Sequence, residues 1–274
     1  NGRVFVIKPN AEATTDMIAA MVQALPGDVI EFECGYFELS SALQLTNTED
    51  VLVRGCGRDK TVLSFKTSTT PEGILAVNVH GLTVQDLTVL DTGGNGIELR
   101  SVDHGTVQRV RAIWSSGGGR ESPTPITASN YTEKLHVACT DPATQDPSAP
   151  ENFLGDTTSP DYTVSKLSGR YGVYPVASEN ILIDDAESIG ASDAGIYVGQ
   201  TNTAIIRNSR AAYNVFGFEI ENVRGGEYAN NVAECNTGGF LIYDLDNLRQ
   251  YGERSRMYGN LARLNNTYNF TSGG

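Results

Sequence analysis

The chain has 274 residues, 39% hydrophobic and 19% charged with 29 Gly, a balance that suits short strands joined by many tight turns. Its net charge of -13 excludes unaided binding of nucleic acid or an anionic membrane, because both need clustered Lys and Arg. No apolar run approaches the roughly 18 residues of a transmembrane segment, and no basic stretch leads into an apolar one at Asn1, so one water-soluble domain over residues 1–274 is expected.

Thr15 and Asp16 form a helix start, and Ile18, Met21, Val22 and Leu25 fall at i, i+3, i+4 and i+7 before Pro26-Gly27 stops the run. The pattern predicts a helix over residues 14–26 that plugs one end of the structure, where open strand edges would invite association. Cys34 and Cys56 follow, 22 residues apart in the matching strings Glu33-Cys34-Gly35 and Gly55-Cys56-Gly57. Stacked one coil apart they would lie at disulfide distance, and the alternative is two buried thiols. Cys139 and Cys235 leave a second bridge open, while the lack of any C-x-x-C argues against zinc.

A repeat then takes over. Gly195-Ile-Tyr-Val, Gly217-Phe-Glu-Ile and Gly239-Phe-Leu-Ile recur every 22 residues, and Gly73, Gly96 and Gly172 open similar strings 23 residues from their neighbours. After each Gly the apolar residues alternate, as in Ile196 and Val198 or Phe218 and Ile220, which marks a strand with one buried face. Thirteen residues after successive landmarks come Asp86, Arg109, Asp185, Asn208 and Asn230, mostly the short polar side chains that turns prefer. Coils of this size, stacked at a strand spacing of about 4.8 Å, predict an all-β chain folded as a single right-handed parallel β-helix. No second plug is visible near Gly274.

Between residues 115 and 170 the rhythm breaks into a segment rich in Pro, Ser, Thr, Asp and Gly. It reads as a loop insertion over one face, expected beside the first strand of each coil. A flexible insertion without a task is the competing reading.

Side chains alternating outward after each landmark Gly are Glu98 and Arg100, Tyr174 and Val176, Tyr197 and Gly199, Glu219 and Glu221, then Leu241 and Tyr243 with Asp244 beyond. Stacked in order, they form a column of tyrosines and carboxylates. Tyrosine offers a flat surface for a sugar ring and a hydroxyl that moves a proton; carboxylates bind sugar hydroxyls, hold Ca2+ or act as acid and base. Arg249, Arg254 and Arg256 follow soon after and would meet uronate carboxylates. Asp193 reads as a carboxylate beside the face or as a turn residue. Of the histidines, His80 and His104 sit in turn-like contexts and His136 in the insertion, and a plain surface role is expected for all three.

Tyr171-Gly172-Val173-Tyr174-Pro175-Val176 resembles the Tyr-Gly-Phe-Asp-Pro-His string of the mannuronan (alginate) C5-epimerases, right-handed β-helices in which Tyr, Asp and His of the string move the C5 proton of the sugar. The match holds at Tyr171, Gly172 and Pro175, whereas Tyr174 stands at the Asp position and Val176 at the His position. From about Gly27 to Asn269 the chain is also similar to exported bacterial β-helix repeat proteins of unassigned function, through strings such as YGVYPVASENILI, SDAGIYVGQ, FEIEN and GGFLIYDL. That second resemblance implies export, with a leader peptide removed, and a setting beside c-type cytochromes.

Together these readings predict recognition of an acidic polysaccharide and its processing by C5 proton abstraction, as epimerase or lyase. The catalytic candidates are Tyr171, Tyr174 and Glu219, and the binding candidates are Glu98, Arg100, Tyr197, Glu221, Tyr243, Asp244 and Arg249. No cofactor is required by the pattern, though Ca2+ would bridge a uronan to the carboxylates. The rival reading is a noncatalytic scaffold of the cell envelope that docks a protein on the same face, with a c-type cytochrome as its candidate partner.

Overall fold

The computed structural model describes residues 2–115, 125–139 and 169–267. Its strands pair only in parallel, coil upon coil, in three columns. The first column carries Leu43–Thr46, the start of Ile74–Leu90, the start of Ile97–Ile113, Val173–Val176, Ala194–Gly199, Phe216–Glu221 and Gly238–Tyr243. Its inward stack runs Leu43, Ile74, Ile97, Val173, Ile196, Phe218, Phe240 in unbroken register. The second column stacks Ile30, Val53, Val84, Val107, Ile183, Ile206 and Tyr228. The third stacks Leu63, Val89, Ala112, Ser188, Ala211 and Ala233. Like side chains thus meet like along the axis, and the apolar ones merge into one continuous core.

The corners explain the polar residues at fixed spacing. Asp86, Arg109, Asp185, Asn208 and Asn230 all take left-handed backbone, with φ of 59, 50, 51, 53 and 56°. Asp and Asn tolerate that region better than most residues, and the repeat turns the chain there on every coil. A second set of polar residues lies inside. Asn214, Asn236 and Asn265 stack beneath the landmark glycines, with Asn236 Oδ1 accepting from the Asn214 backbone N–H at 2.9 Å. The stack crowds the later landmark glycines: a Cβ on Gly195 would lie 2.7 Å from Asn214 Nδ2, and one on Gly217 would lie 3.0 Å from Asn236 Nδ2 and 2.7 Å from the Gly239 carbonyl.

The helix spans Ala13–Gln23 and packs on the first strands of the chain. Its buried face is Ala13, Met17 and Ala20, while Ile18, Val22 and Leu25 of the expected apolar stripe are exposed. Small side chains at Ala13 and Ala20 let the helix lie close to the first coils, and this contact outweighs the larger apolar residues on its other flank. Cys34 and Cys56 are bridged, with Cα atoms 5.4 Å apart, and Cys139 is bridged to Cys235.

The described part of the insertion, residues 125–139, lies over the third column and not beside the first. Ile126 and Leu135 close over Val62, Leu90, Ile113 and Ile189, apolar residues that point out of the third column. Arg210 donates to the Val137 carbonyl at 2.8 Å and Tyr213 to the Ala138 carbonyl at 3.1 Å, which fastens the segment beside its disulfide. An outward apolar strip needs a cover, and that need decides where this segment goes.

Candidate functional site

The register brings the predicted column together. Glu98 pairs with Tyr174, Tyr197 with Glu219, and Glu219 with Leu241, while Glu221 pairs with Tyr243 one step along. At its centre three tyrosine rings gather: Tyr171 and Tyr174 stack with centroids 4.6 Å apart, and Tyr197 sits 4.9 Å from each. Gly199 makes room for this cluster, since a Cβ there would lie 2.4 Å from the Tyr197 hydroxyl.

The column is far less open than its outward direction implied. Glu98 is 1% exposed, Tyr197 5%, and Glu219 and Glu221 7% each. Large neighbours on adjacent coils cover one another, so an outward position in a solenoid need not face water. Burial raises the pKa of the Tyr171, Tyr174, Tyr197 and Tyr243 phenols, and nearby carboxylates push each the same way. All four are therefore neutral hydroxyls at neutral pH, able to donate hydrogen bonds but, with their acidity lowered, slow to give up a proton. Burial likewise raises Glu219 above the usual carboxylate range, against the hydrogen bond from Tyr243.

Glu219 is the group best placed to accept a proton. Tyr243 donates to Glu219 Oε1 at 2.5 Å, and its hydroxyl also approaches Glu221 Oε2 at 3.0 Å. The other oxygen, Glu219 Oε2, is buried with no hydrogen-bond partner among the described residues. A buried carboxylate oxygen without a partner costs stability unless something else meets it.

The edges of the column carry cations. Arg100 pairs with Glu98, which also accepts from Asn95 at 2.8 Å. Arg170 pairs with Asp193 at 3.2 Å and lies 5.1 Å over the Tyr171 ring. Arg249 comes back from a later loop to the Ala177 carbonyl at 3.4 Å, just past Val176, and is exposed. Among the described residues it is the arginine without a carboxylate partner. Asp244 instead holds the Gly252 backbone N–H at 2.9 Å, a loop contact. Arg254 pairs with Glu253, and Arg256 with Glu227 on the second column. Sequence reasoning missed Arg170 and Asn95, which flank the landmark glycines by one or two residues and carry no periodic signal of their own.

Among the described residues, the column carboxylates do not gather three metal-ligating atoms in one place; the group that does is His80, Asp103 and His104. No described helix is long and apolar enough to cross a membrane.

No curated protein sequence matches the chain. Among solved structures it is similar to the A-module of the mannuronan C-5 epimerase AlgE4 of Azotobacter vinelandii, with a TM-score of 0.56 at 17% identity over 85% of this chain and 55% of that one. The A-module of AlgE6 from the same organism gives 0.54 at 16% identity over 91% and 57%. A polygalacturonase of Erwinia carotovora ssp. carotovora gives 0.50 at 10% identity over 96% and 76%. The chain spans a little over half the length of the epimerase modules, and likeness at these identities shows the fold alone. The family described as right handed beta helix region matches residues 72–253, more than half the chain, and the chain belongs to that family.

Proposed function

We propose that this β-helix binds an acidic polysaccharide along the column from Glu98 to Tyr243 and abstracts the C5 proton of a uronate there. The observation that carries the reading is Glu219, a carboxylate one coil from Tyr197 whose buried Oε2 has no hydrogen-bond partner among the described residues. Tyr174, the half-buried ring of the three, gives a sugar an apolar surface. Arg249, without an ion pair of its own, suits the uronate carboxylate and stabilises the negative charge that builds when C5 loses its proton.

Glu219 takes the C5 proton, and the electron pair passes into the sugar carboxyl group. From there two outcomes balance. Tyr171 or Tyr174 returns a proton to the opposite face of C5, giving the epimer, or the pair expels the glycosidic oxygen at C4, which leaves as an alcohol and creates a double bond. The phenol supplies the proton in both, and the negative charge it then takes on needs a nearby cation such as Arg170, which lies 5.1 Å over the Tyr171 ring. The folds similar to this chain include epimerases and a hydrolase of acidic polysaccharides by their names, and two disulfides suit an exported protein.

Proton NMR in D2O tests the reaction, with alginate, pectate and other uronans as substrates, with and without Ca2+. Deuterium at C5 or a new vinyl signal, lost in Glu219→Gln, is expected. Affinity gels loaded with the same uronans test binding: Tyr174→Ala and Arg249→Gln should lose retention. Silence in NMR with retention intact removes the catalytic step. Failure of both removes the sugar and leaves the face as a dock for an envelope protein, a c-type cytochrome first among the candidates.

A further inference from the structure

Around the corner from this column, past Ser101, the second column holds a cluster that the proposed reaction does not use. The register stacks Glu49, His80, Asp103 and Glu179 on successive coils. His104 follows Asp103 at a corner with left-handed backbone, φ 57°. The matching corner one coil earlier is Gly81, which has no side chain to crowd the His104 ring. The two imidazole centroids lie 5.2 Å apart.

Asp103 joins both rings. Its Oδ2 lies 3.1 Å from His80 Nδ1 and its Oδ1 2.8 Å from His104 Nδ1, while Asn180 Nδ2 donates to Oδ1 at 2.9 Å. One ligand atom from each of the three residues falls within 4.8 Å of the other two. A metal–nitrogen bond is about 2.0–2.1 Å, so the donors must close in slightly around an ion. His80 and His104 are exposed on a rigid pleated backbone, and rotation of their side chains provides that movement without any change in the coil.

We propose that His80, His104 and Asp103 form a surface site for a borderline divalent transition ion, bound through two imidazole nitrogens and one carboxylate oxygen. Imidazole selects against Ca2+ and Mg2+, which take oxygen sets, and the order of intrinsic affinity favours Cu2+ over Ni2+ and Zn2+. The chain's net charge of -13 and the neighbouring Glu49 and Glu179 draw cations to this face. Three protein donors leave coordination positions open, and a depression lined by Leu25, Pro26, Thr48, Glu49, His80 and Asp103 adjoins them, with space for a donor from outside. The site is independent of the uronate column.

The test uses untagged protein stripped with chelator, in about 0.15 M salt to screen diffuse charge and with excess Ca2+ present. Cu2+ alone is titrated by calorimetry and followed by electron paramagnetic resonance. One equivalent bound with hyperfine coupling to two imidazole nitrogens is expected. His80→Gln and His104→Gln should each weaken binding about tenfold or more, their combination should abolish it, and His136→Gln should bind like the wild type. Near-ultraviolet circular dichroism checks that the variants keep the fold. The proposal falls if no stoichiometric site appears, if nitrogen coupling is absent, if binding survives in the double variant, or if His136→Gln loses the ion equally.

Discussion

Replacing Asn236 by Ala tests whether the internal asparagine stack is a structural necessity. Asn236 Oδ1 accepts from the Asn214 N–H at 2.9 Å and from Asn214 Nδ2 at 3.0 Å, and its Nδ2 donates to the Ala211 carbonyl at 3.0 Å. Both asparagines are fully buried, and Asn214 Nδ2 keeps the Ser188 carbonyl at 3.2 Å, so the variant leaves the Asn214 N–H and the Ala211 carbonyl facing a hole. Each buried orphan costs roughly 1–3 kcal/mol; a water entering the vacated space would recover part of this. The expected net loss is about 2–5 kcal/mol. At roughly 2–4 °C per kcal/mol for a chain near this size, the midpoint of thermal unfolding should fall by on the order of 10 °C. Urea unfolding followed by circular dichroism measures the loss, and amide exchange at Asn214 localises it. A loss below about 1 kcal/mol would refute the argument, because it would mean that strand pairing alone holds these turns.

Three further outcomes are expected. The Glu219 carboxyl has its pKa raised in the fold, so its contribution is full below the unfolded value of 4.5 and is lost as pH rises through the folded one. Glu219→Gln should therefore be more stable than the wild type at neutral pH, and the gap should close as pH falls below 4.5; urea midpoints across pH would show it. Asp28 behaves oppositely: the Arg3 guanidinium and the Leu25 N–H lower its carboxyl from 3.8 to about 2, so the stability it gives is present above 3.8 and lost as pH falls toward 2. Asp28→Asn should flatten that acid limb, read from amide exchange at Leu25. Replacing Cys34 and Cys56 by Ser opens a loop of 22 residues, and on the chain-entropy model should cost on the order of 3 kcal/mol in chemical unfolding.

The coil, its three strands and the identities in the Glu98 to Tyr243 column were legible because glycine and apolar alternation recur at a fixed spacing. The same spacing places Cys34 opposite Cys56. Burial of Glu98 and Glu219 was not legible, because it depends on side chains one coil above and below, whose shapes the repeat does not specify. The helix shows a similar limit: Ile18, Val22 and Leu25 make the stronger apolar stripe, yet close approach through Ala13 and Ala20 decides the contact. Asn214 and Asn236 repeat at 22 residues, but the later loop around Arg249 stretches the next interval to 29 and hides the stack. The His80, Asp103 and His104 cluster needed the register itself, since two turn-like histidines mean little until one coil is laid upon the next.

One feature of the stack bears on how the chain takes up extra length. Ile97 pairs directly with Val173, and Arg111 with Glu187, across 76 positions of sequence, while the coils that follow pair at separations of 22 or 23 up to Gly238–Tyr243. The pairing surfaces on either side meet as though nothing came between them. The segment between these two coils therefore enters at a single joint of the axle, and no strand changes its partner on its account. A fold built this way separates support from ornament: the stack carries its own pairing, and extra chain is taken up at a joint.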